Sequence, residues 1–234
     1  MMSDISLIVP TYNEKENIAI LVEKTFTAAK KAKLDLEIII VDDNSPDGTA
    51  KRTEELAKKW PIRVICRKTE RGLSSAVIKG FEQASGRILG VMDADLSHPP
   101  EKIPEMIQAL NNADIAIGSR LIQGGGVEEW PLVRKLISQG ATLLARPITN
   151  ISDPMSGFFF LKQEVIEGVK LDPIGYKILL EILAKGRYKR VIETPYVFHN
   201  RRVGTSKLNT RIQLQYLKHL TRLYSHRLQR LFKK

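Results

Sequence analysis

Two aspartates separated by one alanine, Asp93 and Asp95, stand at the end of RILGVMD, an apolar run with the length of a buried strand. Alternate residues of a strand point to the same side, so both carboxylates can serve one binding site. Carboxylate oxygens at this spacing suit a hard divalent cation whose remaining ligands come from phosphate oxygens. A bare D-x-D is usually a solvated turn, so the meaning of the pair depends on its surroundings.

Polar side chains also follow the other apolar runs, as PTYNE after the first, VDDNS after the second and GSR after the fifth. The carboxyl ends of parallel strands meet at one edge of a sheet, where open α/β proteins bind ligands. Five carboxylates would converge at this edge, a costly arrangement unless cations or hydrogen-bond donors accompany them. The sequence therefore predicts a ligand site at this edge.

Individual residues at this edge have alternative interpretations. Asp42 fits a turn with the capping residues that follow it, whereas Asp43 is favoured to accept hydrogen bonds from a nucleobase or a ribose. Glu14 can bind a ligand or serve as a first-turn helix charge, and Tyr12 can stack on a base or pack against the protein. His98 is expected to pack or to form a hydrogen bond.

The elements that must position these residues alternate along the first half of the chain. Strand-like apolar runs occupy 5–10, 36–43, 62–67, 87–93 and 114–120, and helical patterns occupy 15–32, 49–59, 73–84 and 99–110. Unbroken Ile, Val and Leu runs are typical of parallel strands covered on both faces. Repeated β-α units predict an open α/β fold.

The pattern changes after residue 123. Three glycines at 124–126 predict a loop, and Asp153 with Pro154 predicts a turn. Helices are expected over 131–146, 174–185 and 209–232, a strand over 190–198 and a short apolar segment over 157–161. The last helix has Leu and Tyr at spacings of three and four among basic residues, so it can pack against the domain or lie on an anionic membrane.

The composition is that of a globular protein. The 234 residues, 43% hydrophobic and 27% charged, suffice for one large domain or one domain with an appendage. One cysteine, Cys66, excludes an internal disulfide. The net charge of +11 is concentrated near the C-terminus, where residues 201–234 contain ten Lys or Arg and no acid. A basic surplus attracts nucleic acid, anionic lipid or phosphorylated small molecules.

Two other function classes are disfavoured. A nucleic-acid-binding module explains the charge, but acidic strand ends would repel phosphate, so no nucleic-acid partner is expected. A nucleotidyltransferase also needs a D-x-D and a metal, but such enzymes often carry a glycine-rich basic loop where this chain has PTYNEKEN.

An ordered set of motifs resembles a known family. PTYNEKEN, IVDDNSPDGT, RGLSSAVIKGF, MDADLSHPPE, IGSR and RRVGTSK, which span about residues 5–208, resemble family 2 inverting glycosyltransferases of the GT-A fold, most closely the dolichyl-phosphate mannose synthases. The resemblance implies a Rossmann-like, mostly parallel sheet with helices on both faces. It implies a catalytic domain over 1–208 and a basic amphipathic helix over 209–234.

The resemblance also implies a reaction. Mannose would pass from GDP-mannose to dolichyl or another polyprenyl phosphate with inversion, giving dolichyl β-D-mannosyl phosphate and GDP in a metal-dependent step. A dolichyl-phosphate glucosyltransferase that uses UDP-glucose, or another polyprenyl-phosphate glycosyltransferase, is the alternative.

By this resemblance, residues of the motifs have roles in binding and catalysis. Donor-binding residues are Pro10, Tyr12, Glu14, Val41, Asp43, Asp93, Ala94, Asp95, Arg120, Arg201 and Lys207. Acceptor-phosphate residues are Arg120, Arg134, Ser138 and Arg201. Asp93, Asp95 and Arg120 form the catalytic set, and Asp95 holds Mg²⁺ or Mn²⁺. Close relatives often carry Gln as a further metal ligand where this chain has Ser97, so Ser97 can bind metal directly, through water or not at all.

A lipid acceptor implies a membrane surface. No apolar run approaches the ~18–20 residues that a membrane span needs, so peripheral association with the cytoplasmic face of a membrane is expected. Binding through the last helix, a membrane-anchoring partner subunit, and truncation before membrane helices stay open as alternatives.

Overall fold

A computed structural model describes residues 3–128, 131–199 and 210–232, with the side chains of 210–212 and 230–232 outside the description. The strands are β1 (Ile5–Thr11), β2 (Leu36–Asp42), β3 (Ile62–Cys66), β4 (Ile88–Val91), β5 (Ile115–Ser119), β6 (Gly126–Val127), β7 (Phe159–Lys162), β8 (Val191–Pro195) and β9 (Val197–Phe198). The α-helices are α1 (Lys15–Lys31), α2 (Thr49–Ala57), α3 (Leu73–Gln83), α4 (Ile103–Ala109), α5 (Leu132–Ala145), α6 (Ile178–Lys185) and α7 (Thr210–Phe232).

Within the described residues, seven strands form one sheet in the order β3-β2-β1-β4-β7-β5-β8. β1 pairs in parallel with β2 and with β4, β2 pairs in parallel with β3, and β5 pairs in parallel with β8. The mostly parallel sheet expected from the sequence is therefore confirmed. β6 and β9 form a separate, short parallel pair.

Helices cover both faces of this sheet, which explains the unbroken apolar runs. Alternate residues of β1 illustrate the arrangement, because Leu7 and Val9 enter one core cluster and Ile8 enters the other. The first cluster includes side chains of α1 and α4, and the second includes side chains of α3 and α6. Burial on both faces stabilises the strands that end at the ligand-binding edge.

β7 is the main departure from the expected pattern. The apolar segment at 157–161 becomes an antiparallel strand inserted between β4 and β5, with Val91 opposite Phe159 and Ile117 opposite the same residue. Gly90 makes room for this strand, because a Cβ there would lie 2.2 Å from the ring of Phe160. The ends of β4 and β5 are thus separated by one strand.

α6 begins four residues later than the sequence pattern suggested. Gly175 has a φ of +79°, a left-handed conformation that an α-helix does not contain. The helix therefore starts at Ile178 instead of residue 174. The short segment before it runs through Tyr176 and Lys177 toward the ligand-binding edge.

The C-terminal helix α7 packs against the domain. Leu220 and Leu223 are buried in a third cluster with Ala145 of α5 and Leu180 of α6, and Tyr216 packs against the same cluster. The middle of the Leu and Tyr stripe is thus used for packing. Leu228 of the stripe is exposed, as are Leu214 and Leu217.

Candidate active site

The segment after β4 places Asp93 and Asp95 at the carboxyl edge of the sheet. Ser97 fixes Asp95, because its hydroxyl and its backbone N–H donate to Asp95 Oδ1 at 2.5 and 3.1 Å. Leu96, between them, has a φ of +63°, so the chain turns sharply here. Asp95 and Ser97 are both buried, and the carboxylate is held in one orientation.

His98 stabilises the same turn through a hydrogen bond to the backbone of Asp93. Its Nδ1 accepts a hydrogen bond from the backbone N–H of Asp93 at 3.2 Å, so the ring carries its proton on Nε2 when neutral. The ring stacks on Phe158 and meets Tyr196 and Phe198 edge-on. His98 thus packs and forms a hydrogen bond, as the sequence predicted.

Gly157 is close to the Asp93 carboxylate. A Cβ added at Gly157 would lie 3.0 Å from Asp93 Oδ2 and 3.3 Å from His98 Cε1. A side chain at this position would push on the carboxylate, so the close approach explains why glycine occurs here.

Arg120, just after β5, is held by Asp153. Its Nε and Nη2 donate to the two oxygens of Asp153 at 2.7 Å each, and its backbone N–H donates at 3.1 Å. Burial opposes the charge on Arg120, but the hydrogen bonds and charge of Asp153 outweigh it and raise the pKa of the guanidinium. Glu193 of β8 in turn accepts from the backbone N–H groups of Ser152 and Asp153. Arg120 is therefore a fixed cation.

Lys177 brings a second cation to this region. The pKa of Lys177 is lowered to about 8, first by burial and then by the charge of Arg120, while the charges of Asp153 and Asp93 act in the opposite direction. Its ammonium lies 4.5 Å from the centre of the Tyr176 ring. Asp93, Arg120, Asp153 and Lys177 thus form one electrostatic cluster at the β4–β5 end of the edge.

Asp43 and Tyr12 lie at the other end of the edge, near the ends of β1, β2 and β3. Arg67 donates to Asp43 Oδ1 through Nε at 2.7 Å and also through Nη2, and the N–H of Gly72 donates to Oδ2 at 2.8 Å. The Arg71 guanidinium lies 5.4 Å from the centre of the Tyr12 ring, which is exposed. Carboxylate, guanidinium and an exposed aromatic ring are groups that can bind and stack on a nucleobase.

Asp42 and Glu14 make local contacts instead. Asp42 is fully buried and accepts from Thr11 and from the hydroxyl and N–H of Ser45, so its turn interpretation is confirmed. Glu14 precedes α1 and accepts from Asn17 at 2.8 Å. Pro10 and Val41 are paired across β1 and β2 beside these residues.

The other expected site residues occupy different places. Arg134 and Ser138 lie one turn apart on α5, both half-buried. Arg201 and Lys207 lie outside the described residues. Ala94 is buried between the two aspartates.

Asp153, Lys177, Glu193 and Arg67 were not identified as site residues from the sequence. For Asp153 the sequence predicts a turn, in a region that resembles the acceptor-side wall of the family, and the others stand in no quoted motif. A lysine beside a glycine, and an arginine directly after a strand-like run, are the only signals that the sequence offers for Lys177 and Arg67.

The described residues contain no group of three or more His, Cys, Asp or Glu side chains placed to hold a metal ion. None of the described helices combines the length and apolarity that a bilayer crossing requires.

The fold and site define an α/β glycosyltransferase of the GT-A type, with a carboxylate pair after the fourth strand. A solved structure of M. tuberculosis glucosyl-3-phosphoglycerate synthase has a TM-score of 0.68 at 16% identity, covering 96% of this chain and 80% of that chain. Another, with Mn²⁺, UDP-glucose and phosphoglyceric acid, has a TM-score of 0.69 at 15% identity, covering 96% and 79%. At these identities the likeness concerns the fold.

Residues 6–169 match the model of glycosyl transferase family 2, and the chain belongs to that family. It is 53% identical to a dolichol-phosphate mannosyltransferase of Pyrococcus furiosus, over 94% of this chain and 63% of the relative. It is 43% identical to the dolichol-phosphate mannosyltransferase of Saccharomyces cerevisiae, over 96% of this chain and 88% of the relative. The chain thus spans less than two thirds of the Pyrococcus protein.

Proposed function

We propose that this chain transfers mannose from GDP-mannose to dolichyl or another polyprenyl phosphate, with inversion, giving dolichyl β-D-mannosyl phosphate and GDP. The observation that carries the proposal is the 43% identity, over 96% of the chain, to a relative named dolichol-phosphate mannosyltransferase. The identity of 53% to the Pyrococcus relative supports the same activity. Transfer of glucose from UDP-glucose is the alternative.

Asp93 and Asp95 fit a divalent cation. Their oxygens are hard ligands, and two carboxylates leave coordination positions for diphosphate oxygens and water. Bound Mg²⁺ or Mn²⁺ would stabilise the charge of the leaving diphosphate. Solved structures of similar fold contain Mn²⁺ or Mg²⁺, which supports this class of ion. The hydroxyl of Ser97 donates to Asp95, so we assign Ser97 the task of orienting that metal-binding carboxylate.

The cations of the site suit a phosphate nucleophile. A phosphate monoester has a second pKa of about 6, so the acceptor is mostly dianionic at neutral pH and needs no general base. It needs positive charge in order to approach the anionic donor, and Arg120 and Lys177 supply it beside Asp93. Direct attack on the anomeric carbon inverts its configuration. Arg134, Ser138, Arg201 and Lys207 are proposed to contact the same phosphates.

The Asp43 and Arg67 pair is proposed to receive the nucleobase, with Tyr12 as the stacking surface. Both Asp43 oxygens already accept hydrogen bonds, so the carboxylate is fixed before a ligand arrives. Such preorganisation lowers the cost of binding.

The proposed acceptor is a lipid, and α5 presents an apolar surface that suits a membrane. Its exposed apolar side chains are Leu132, Val133, Leu136, Ile137, Leu143 and Leu144. At 100° per residue these side chains occupy one side of the helix. The Tyr224 hydroxyl of α7 donates a hydrogen bond to the backbone oxygen of Leu144, so the exposed leucines of α7 adjoin this surface. We therefore propose peripheral binding through α5 and α7 at the cytoplasmic face, and a membrane-anchoring partner subunit stays an alternative.

Membrane binding is tested by replacing apolar side chains of α5. Leu132→Gln with Leu136→Gln is expected to weaken sedimentation with neutral phosphatidylcholine vesicles at least several-fold, because each buried leucine contributes about 1.5–3 kcal/mol. Lys135→Gln, on the charged side of the same helix, is the control and should bind as wild type. Equal binding by all three proteins would contradict the proposal.

The reaction is tested with a panel of sugar nucleotides, dolichyl phosphate and Mg²⁺ or Mn²⁺. Product is expected with GDP-mannose, and product from UDP-glucose alone would overturn the donor assignment. Asp95→Ala should lower kcat by about 10²–10³-fold, the usual cost of removing one electrostatic stabiliser. Asp35→Ala, an exposed carboxylate away from the edge, is the control.

A further inference from the structure

A basic cleft lies between α7 and the catalytic domain, away from the ligand-binding edge. It has a volume of about 550 Å³, which is within the range of small-ligand sites. Its ionisable lining residues come from the loop after β7, from the end of α6 and from α7. They are Lys170, Asp172, Lys185, Arg187, Arg222 and His226. We call this the α7 cleft.

The α7 cleft carries a surplus of positive charge. Four Lys or Arg side chains and one carboxylate line it, so the lining has a charge of +3 with His226 neutral. Asp172 is paired with Arg222 and Lys185 is paired with the buried Glu181, so the surplus rests on Lys170 and Arg187. Like charges gathered around one cavity repel each other, and an anion in the cavity relieves that repulsion.

Buried contacts beneath the cleft fix its walls. Glu181 accepts from Lys185 Nζ at 2.5 Å, from the backbone N–H of Asp172 at 2.9 Å and is 2.7 Å from His219 Nε2. Glu181 and His219 are almost fully buried, so these contacts hold α6, α7 and the loop after β7 together. Glu181 thus offsets the charge of Lys185, and Lys170 and Arg187 are the cations that stay for a ligand.

We propose that the α7 cleft binds a phosphate group. The Arg187 guanidinium can hold phosphate oxygens through two hydrogen bonds, and Lys170 adds a point charge. Arg222 and Lys185, paired with Asp172 and Glu181, line the same cleft. The group belongs either to a lipid headgroup or to a soluble phosphate, since both present the same oxygens. Bound there, it joins α7 to the loop after β7 and strengthens the docking of the helix that carries the exposed leucines.

The first experiment tests for an anion site. Thermal unfolding is measured in inorganic phosphate and in chloride at equal ionic strength. Wild type is compared with a cleft variant that carries both Lys170→Ala and Arg187→Ala. Lys58→Ala with Lys59→Ala, an exposed pair on another face, removes the same charge and is the control. Wild type and the control should show the same phosphate-specific rise in Tm, and the cleft variant a smaller one. A full rise in the cleft variant would overturn the proposal.

The second experiment identifies the source of the phosphate. Vesicles of phosphatidylcholine with phosphatidic acid are compared with vesicles in which phosphatidylglycerol supplies the same surface charge. If wild type and the control bind better to vesicles with phosphatidic acid and the cleft variant does not, the phosphate bound in the α7 cleft belongs to a lipid headgroup. A phosphate-specific Tm rise without that preference assigns a soluble phosphate. Neither measurement requires turnover, so the result is independent of the proposed reaction.

Discussion

Removing the Asp153 carboxylate should destabilise the protein strongly while leaving its fold recognisable. The Asp153 side chain is 1% exposed and that of Arg120 is 11% exposed, and three hydrogen bonds join the two residues. Asp153→Ala removes all three of these hydrogen bonds and the carboxylate paired with the buried Arg120 guanidinium. Breaking a buried pair in this way costs about 3–5 kcal/mol. For a chain of this size each kcal/mol corresponds to about 2–4 °C in Tm, so a fall of about 6–20 °C is expected.

The assay is denaturant unfolding followed by circular dichroism, with a matched surface pair as control. Asp4 and Arg87 are joined at 2.8 Å, but their side chains are 61% and 86% exposed. Asp4→Ala should therefore cost no more than about 1 kcal/mol. If Asp153→Ala and Asp4→Ala lower the free energy of unfolding equally, the reasoning from burial is refuted. Asp153→Ala should also lower kcat, because Arg120 loses its fixed position.

Two further predictions use pH as the variable. Since the pKa of Lys177 is lowered to about 8, activity that needs its ammonium should fall as pH rises through about 8. In Lys177→Arg the loss of activity should occur at higher pH. Lys177→Met should lose most activity at every pH, and with it the pH-dependent loss. An unchanged pH profile in Lys177→Arg would show that Lys177 does not cause the loss. Burial opposes the charge of Glu181, but His219 and Lys185 lower its pKa to about 2, below an unfolded value of about 4.3. Its ionised form therefore stabilises the fold above pH 4.3, and this contribution disappears as pH falls toward 2. Glu181→Gln should unfold more easily than wild type at pH 7, with a difference that narrows below pH 4; a constant difference would contradict this account.

Local patterns were sufficient to predict the strands that end shortly before Asp43 and Asp93, at Asp42 and Val91. Their apolar runs are unbroken because both faces of the sheet are covered, and the charged residues begin where burial ends. The position of Asp95 followed from the same strand end. Sequence spacing alone thus located the carboxylate pair.

The partners of these residues depend on long-range packing and could not be read from spacing. Arg67 reaches Asp43 across 24 residues, and Asp153 reaches Arg120 across 33 residues. Asp153 and Lys177 lie in irregular segments, where neither the helical period nor the strand period predicts the direction of a side chain. The antiparallel β7 was missed for a related reason, because four residues carry too short a pattern to assign a pairing.

The insertion of β7 has a consequence for how the chain folds. β1 to β4 can pair as successive β-α units, but β7 pairs with β4 only after a loop of about 70 residues has closed. Closing such a loop costs chain entropy before its contacts are gained, so this step is slow compared with local pairing. Gly157 and Asp153 adjoin β7 in the chain, so Asp93 and Arg120 reach their final surroundings late. During synthesis, the half of the sheet that ends at Asp43 can form before the ribosome has produced the residues that complete the other half.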